Sequence, residues 1–124
     1  MNKVVLIGSV CAQPEGHKMQ NGTEKSSFRL AVRKPYRNQE GNYDADFLPI
    51  VAWRQTAEFC NKYLEKGRMV AVEGSIQTRS YDAQDGSKRY VTEIIADHVE
   101  ALGKREKRED KFQEVEDADL PWDK

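Results

Sequence analysis

The strongest constraint on the fold is a strand-like segment, Asp46–Arg54, in which the side chains alternate in character along the chain. Leu48, Ile50 and Ala52 fall on one face, and Phe47, Val51 and Trp53 fall on the other. A period of two predicts a β-strand with one face turned toward a core. Two large rings, Phe47 and Trp53, then project from the opposite face, where they either enter a second buried layer or contact a ligand.

Four more segments predict strands by their β-branched content or alternation, namely residues 3–10, 25–33, 69–78 and 89–102. Residues 14–22 are predicted to be a connection, and 56–66 a helix that ends at Lys66-Gly67. Gly8 and Gly74 interrupt their strands and predict bends. Five strands with a helix between the third and fourth indicate an all-β OB-fold barrel over residues 1–103.

The remaining residues differ in composition. The net charge is −1, but basic residues slightly outnumber acidic ones in residues 1–104, whereas acidic residues dominate 105–124. We expect a short charged linker (104–112) and a disordered acidic tail (113–124), because the tail has too little apolar surface to fold. With no long apolar run and two cysteines that read as reduced thiols, we expect a cytoplasmic protein.

Aromatic side chains lie beside cations at four places in the strands and loops. The rings are Tyr36, Phe47, Trp53 and Tyr81, and the cations are Arg33, Lys34, Arg37, Arg54, Arg79, Lys88 and Arg89. Single-stranded nucleic acid needs this mixture, since each base stacks on a ring and each phosphate attracts a cation. Neither interaction reads base identity. The sequence therefore favours sequence-independent binding of single-stranded nucleic acid, although rings on a strand are also common in cores.

Other functions have weaker support. An OB barrel that binds RNA, or an adaptor that recruits proteins through its acidic tail, is compatible with the same pattern. His17 and His98 have no spacing typical of a metal site. The chain contains no phosphate loop or nucleophile motif, so we predict neither an enzyme nor a cofactor.

The chain resembles the bacterial and phage single-stranded DNA-binding protein (SSB) family over about residues 1–102. The similar blocks are residues 1–8, Pro14-Glu15, Asn21-Gly22, 28–32, 45–47, 51–54, 63–67, 72–81, Asp85-Gly86 and 90–93. The resemblance implies stacking roles for Tyr36, Phe47, Trp53 and Tyr81. It also implies a nucleoid-associated homotetramer that coats single strands during DNA replication, recombination and repair.

Two features depart from the family pattern. The tail tip resembles the family's partner-docking motif, which implies docking by Asp117, Asp119, Leu120, Pro121 and Trp122. However, Trp122 stands where the family has Phe, and Asp123-Lys124 follow it. Pro49 lies on the binding strand, and because proline donates no ladder hydrogen bond, we expect a bulge or an unpaired edge there.

Overall fold

The structure is a computed structural model that describes residues 1–103. The predicted linker and acidic tail lie outside these residues. The described chain forms β1 (Val4–Val10), β2 (Glu15–Lys18), β3 (Glu24–Arg37), β4 (Tyr43–Trp53), α1 (Arg54–Tyr63), β5 (Met69–Asp82) and β6 (Lys88–Ala101). Within this part of the chain, no helix is long and apolar enough to cross a membrane.

Five of the strands close into a barrel. Their order is β1-β5-β6-β4-β3, and β3 returns to β1 where Ser9 pairs with Ala31 and Val10 with Leu30. The pairings are antiparallel except that β4 runs parallel to β6. The helix α1 follows β4, the third barrel strand in the chain. This arrangement confirms the predicted OB-fold.

The interior of the barrel contains the side chains that the strand pattern assigned to it. Ile50 and Ala52 are fully buried and Leu48 packs against the same cluster, whereas Phe47 and Trp53 are exposed. The other core residues are Val10, Phe28, Leu30, Ala57, Cys60, Leu64, Val70, Val72, Ile94, Ala96 and Val99. The prediction that β4 turns its two rings away from the core is therefore confirmed.

Two glycines allow neighbouring strands to approach closely. A Cβ atom on Gly8 would collide with the carbonyl oxygen of Ala31, and one on Gly74 with that of Ile95. The β5–β6 register shifts between Glu73 and Gly74, and such a bulge bends the strand where the sequence predicts a bend. These contacts explain the absence of a side chain at both positions.

The predicted connection between β1 and β3 contains a short strand instead. β2 pairs antiparallel with β3, from Glu15 opposite Ser27 to Lys18 opposite Glu24. All four of its residues are exposed. Because β2 has no buried face, its sequence shows no apolar alternation, and periodicity could not reveal it.

Several element boundaries and one expected irregularity differ from the predictions. α1 starts directly after Trp53 and ends at Tyr63, because Leu64 adopts an extended conformation (ψ 146°) that puts its side chain in the core. β3 continues to Arg37 rather than ending at residue 33. The bulge expected at Pro49 is absent: Pro49 pairs with Arg29, and the register of β3 and β4 shifts only between Arg33 and Arg37.

The position of Pro49 in the sheet explains why the strand tolerates it. β4 pairs with β6 only over Ile50–Ala52, so the edge of β4 that faces away from β3 has no partner at Pro49. A residue without an N–H fits such an edge at little cost.

Candidate nucleic-acid interface

The outer face of the β3–β4 ladder alternates cations and aromatic rings. Lys25 lies directly opposite Trp53, and Ala31 lies opposite Phe47. The Lys25 ammonium is 5.3 Å from the centroid of the Trp53 ring, and the Arg29 guanidinium is 6.0 Å from that of Phe47. Cross-strand register therefore combines a stacking surface and a positive charge at each ring.

The same pattern continues to the far end of the ladder. Arg37 pairs with Tyr43 across the two strands, and Arg33 lies opposite Ala45. The guanidinium carbons of Arg33 and Arg37 are 4.4 Å and 4.7 Å from the centroid of the Tyr43 ring. Tyr36 lies in the segment where the register shifts, and 63% of its surface is exposed.

A second arm is formed by the outer parts of β5 and β6, which carry Tyr81 opposite Arg89. β4 and β6 are parallel, and their pairing ends at Ile50 and Ile94. The N-terminal halves of both strands therefore leave the same end of the barrel without pairing to each other. Phe47 and Tyr43 lie on one of these arms and Tyr81 on the other, so exposed rings occur on both arms at this end of the barrel.

Several of the predicted phosphate-binding cations already have a carboxylate partner. Lys34 contacts Asp46 at 2.5 Å, Arg79 contacts Glu93 at 3.2 Å, and Arg89 contacts Asp85 at 3.5 Å. The hydrogen bond to Asp46 raises the pKa of Lys34, and hydrogen bonds from Ser87 lower the pKa of Asp85. These groups stay charged near neutral pH, but their partners partly neutralise them.

Other cations on the ladder have no such partner. Among the described residues, Lys25, Arg29, Arg33 and Arg37 form no ion pair with a carboxylate. Their positive charge is therefore more available to an anion than that of Lys34, Arg79 or Arg89.

Arg54 joins this surface to the helix. Its φ of 60° makes it the one residue other than glycine with a left-handed backbone among those described. It lines a groove of about 540 Å³ beside Trp53, together with the Asn21-Gly22 turn. Of the residues that line this groove, Trp53 and Arg54 belong to the predicted site.

Three residues of this surface were missed from the sequence. Lys25, Arg29 and Tyr43 occupy outward positions in the β3–β4 ladder, but none is among the site residues that the sequence predicts. The signal was present in the spacing of Lys25, Arg29 and Arg33, which recur every fourth residue on one face of a strand. Which aromatic ring each of these cations lies over can be assigned only from the register of the two strands.

The described residues offer little for other chemistry. Within residues 1–103, no group of three or more His, Cys, Asp or Glu side chains is arranged to hold a metal ion. Cys11 and Cys60 are both free thiols. Burial raises the pKa of Cys60 to about 12, so this thiol is unreactive at neutral pH.

Comparison with known proteins places the surface in context. The model of the Single-strand binding protein family matches residues 1–102. A single-stranded DNA-binding protein of Oceanobacillus iheyensis is 45% identical over 102 residues, which are 82% of this chain and 63% of that protein. Single-stranded DNA-binding protein 3 of Clostridium acetobutylicum is 50% identical over 103 residues, covering 82% of this chain and 71% of that protein.

A solved structure agrees with these sequence matches. The Plasmodium falciparum SSB complex with ssDNA superposes with a TM-score of 0.75 at 30% identity, covering 83% of this chain and 96% of that chain. The match to the Oceanobacillus protein spans less than two thirds of that protein's length. The similarity therefore concerns the barrel described above.

Proposed function

The chain belongs to the single-strand binding protein family, and we propose on this premise that it binds single-stranded DNA with little regard to base sequence. The observation that carries the proposal is the outer face of β3 and β4, where Phe47 and Trp53 each lie beside a cation. Phe47 and Trp53 are exposed on this face, although Val51 between them is buried, and Ile50 and Ala52 on the opposite face of β4 are fully buried. The protein acts as a binder rather than a catalyst.

The physical basis is the same for any base. A ring that stacks on a base contributes about 1–3 kcal/mol, and each neutralised phosphate releases counterions, so that log K falls by about 0.7 for each log unit of salt. The proposed stacking residues are Tyr36, Phe47, Trp53 and Tyr81. The proposed phosphate contacts are Arg33, Lys34, Arg37, Arg54, Arg79, Lys88 and Arg89, to which the ladder geometry adds Lys25 and Arg29.

Tryptophan fluorescence tests the proposal directly. The chain has two tryptophans, Trp53 and Trp122, so Trp122→Ala leaves Trp53 as the sole reporter. Oligo-dT should quench this signal, and added salt should weaken the binding. Phe47→Ala should reduce affinity by roughly 5- to 150-fold, the equivalent of about 1–3 kcal/mol. Tyr90→Ala on β6 is the matched control, since Tyr90 is exposed but has no proposed role.

Absence of quenching together with absence of a mobility shift at low salt would refute the proposal. Competition with RNA of equal length separates DNA binding from the alternative of an RNA-binding barrel. If the protein preferred RNA, a lower concentration of competing RNA than of competing single-stranded DNA would displace it from oligo-dT. We expect the reverse order.

We further propose that the protein is a homotetramer, as the family resemblance implies. The outer face of β1 and β5 supports an association surface, because Val5, Ile7 and Met69 are 67%, 56% and 46% exposed there. An apolar strip on a sheet surface is typical of an interface. Val5→Lys with Ile7→Lys should lower the mass measured by light scattering, whereas a monomeric wild type would refute the assembly.

The acidic tail is proposed to recruit proteins of DNA replication, recombination and repair in the cytoplasm, at the nucleoid. Its support is the sequence of the tip, from Asp117 and Asp119 through Leu120-Pro121-Trp122. Deleting residues 113–124 should preserve binding to oligo-dT but abolish function in vivo. A deletion that preserves both would leave the tail without a docking role.

A further inference from the structure

Tyr43 is the ring of the β3–β4 ladder with two cations on it rather than one. The guanidinium carbons of Arg33 and Arg37 lie 4.4 Å and 4.7 Å from its centroid. Phe47 and Trp53 each have a single cation, at 6.0 Å and 5.3 Å. Tyr43 therefore differs from the proposed stacking rings in how its π surface is used.

The backbone at this end of the ladder fixes the geometry. The turn that links β3 to β4 is held by Asn38, whose side-chain oxygen accepts hydrogen bonds from the backbone N–H groups of Glu40 (2.9 Å) and Asn42 (3.0 Å). Arg37 also donates a hydrogen bond to the carbonyl oxygen of Gly41 at 2.8 Å. Arg37 is thus held from two sides, by the turn and by the ring of Tyr43.

The local charges leave both arginines without a carboxylate. Asp46 is engaged by Lys34, and Asp44 accepts a hydrogen bond from Asn38 at 3.1 Å. Among residues 1–103, neither Arg33 nor Arg37 forms an ion pair. Two like charges close to one ring repel each other, and an anion that binds both relieves that repulsion.

We propose that Tyr43 is a positioning residue that holds Arg33 and Arg37 as a paired site for the sugar–phosphate backbone, rather than a surface on which a base stacks. This inference rests on the proposed binding of single-stranded DNA and assigns a function to one end of the interface. Stacking on the ring restricts two long side chains before DNA arrives, so less conformational entropy is lost when phosphates bind. A guanidinium that lies on a ring still presents its N–H groups outward for charge-assisted hydrogen bonds.

The salt dependence of binding distinguishes this role from a structural one. The slope of log K against log salt is negative, and Tyr43→Leu should make it less steep by about 0.7 for each arginine that loses its phosphate. If both contacts are lost, the wild type should weaken about sevenfold more than the variant between 50 mM and 200 mM salt. Tyr43→Phe keeps the ring and should retain the wild-type slope. Tyr90→Leu on the neighbouring arm is the matched control for loss of an exposed tyrosine.

A double-mutant comparison tests whether Tyr43 acts through the arginines. In a chain that carries Arg33→Ala and Arg37→Ala, Tyr43→Leu should change the affinity for oligo-dT less than twofold. A ring that stacks a base would instead lose about fivefold or more in that background. Thermal melting of each variant shows whether the barrel is intact.

The outcomes separate this inference from the proposed function. If the wild type does not bind oligo-dT, the function itself is refuted. If it binds but Tyr43→Leu keeps the full salt slope, or if Tyr43→Phe behaves like Tyr43→Leu, the positioning role of the ring is overturned while DNA binding stands. Three results together support the proposal. Tyr43→Leu makes the salt dependence less steep, Tyr43→Phe does not, and Tyr43→Leu has little further effect in the chain that carries Arg33→Ala and Arg37→Ala.

Discussion

Arg54→Gly should make the protein more stable and a weaker binder of DNA at the same time. Arg54 has a φ of 60°, a left-handed conformation that costs an L-residue with a side chain about 1–2 kcal/mol. Glycine adopts this conformation freely, but its greater conformational entropy in the unfolded chain lowers the stability by about 0.5–1 kcal/mol. Because Arg54 is exposed and forms no ion pair among the described residues, little else is lost. The net gain should be about 0.5–1 kcal/mol.

The gain corresponds to a rise in melting temperature of about 2–8 °C for a domain of this size. Circular dichroism at fixed protein concentration measures it. Because one phosphate contact is lost, the negative slope of log K against log salt for oligo-dT binding should become less steep by about 0.7. Arg54→Lys is the matched control, because it keeps the charge and the strained backbone, and should alter neither quantity by as much. A glycine variant that melts at or below the wild-type temperature would show that no strain is stored at this position.

Other perturbations test the remaining contacts. A hydrogen bond from Lys3 lowers the pKa of Glu73. The stabilisation that this ionised carboxylate gives the fold is therefore complete above the ordinary glutamate pKa and is lost as the pH falls through the lowered pKa. The difference in melting temperature between wild type and Glu73→Gln should vanish in acid. Gly74→Ala should cost about 1–3 kcal/mol in urea unfolding, because its Cβ would meet the Ile95 carbonyl, whereas Ser75→Ala should not. A thiol reagent should label Cys11 in the folded protein but Cys60 only after unfolding, since Cys60 is fully buried; rapid labelling of both would contradict this.

The barrel was predictable because its core-facing residues follow a simple period. The alternation of Leu48, Ile50 and Ala52 assigned β4 to the sheet and turned Phe47 and Trp53 outward, as the structure confirms. β2 could not be predicted, because it is held by backbone pairing to β3 and has no buried face. The end of α1 was misplaced because burial of Leu64 outweighed the usual signal of a lysine before a glycine.

The site was only partly predictable, for a different reason. Exposed rings on a strand are visible in a sequence, but the cations that lie over Tyr43, Phe47 and Trp53 come from another strand. Lys25 is 28 positions from Trp53 in the chain, yet lies directly opposite it. Adjacency in sequence instead pointed to Lys34, which the structure shows engaged by Asp46. Register, which the sequence does not state, decides which charges are available.

The inner face of β4 packs in the core and its outer face carries the proposed binding residues, which explains where the requirements of stability and binding conflict. Substitutions on the inner face, such as at Ile50, remove buried apolar surface and should unfold the barrel, whereas those at Phe47 change little except binding. The two requirements meet at the junction of β4 and α1, where one residue must both turn the chain and stay beside Trp53. Glycine would satisfy the turn better, but Arg54 adds a cation beside the ring. The strained backbone at Arg54 is therefore what we expect if this side chain contacts phosphate, as proposed.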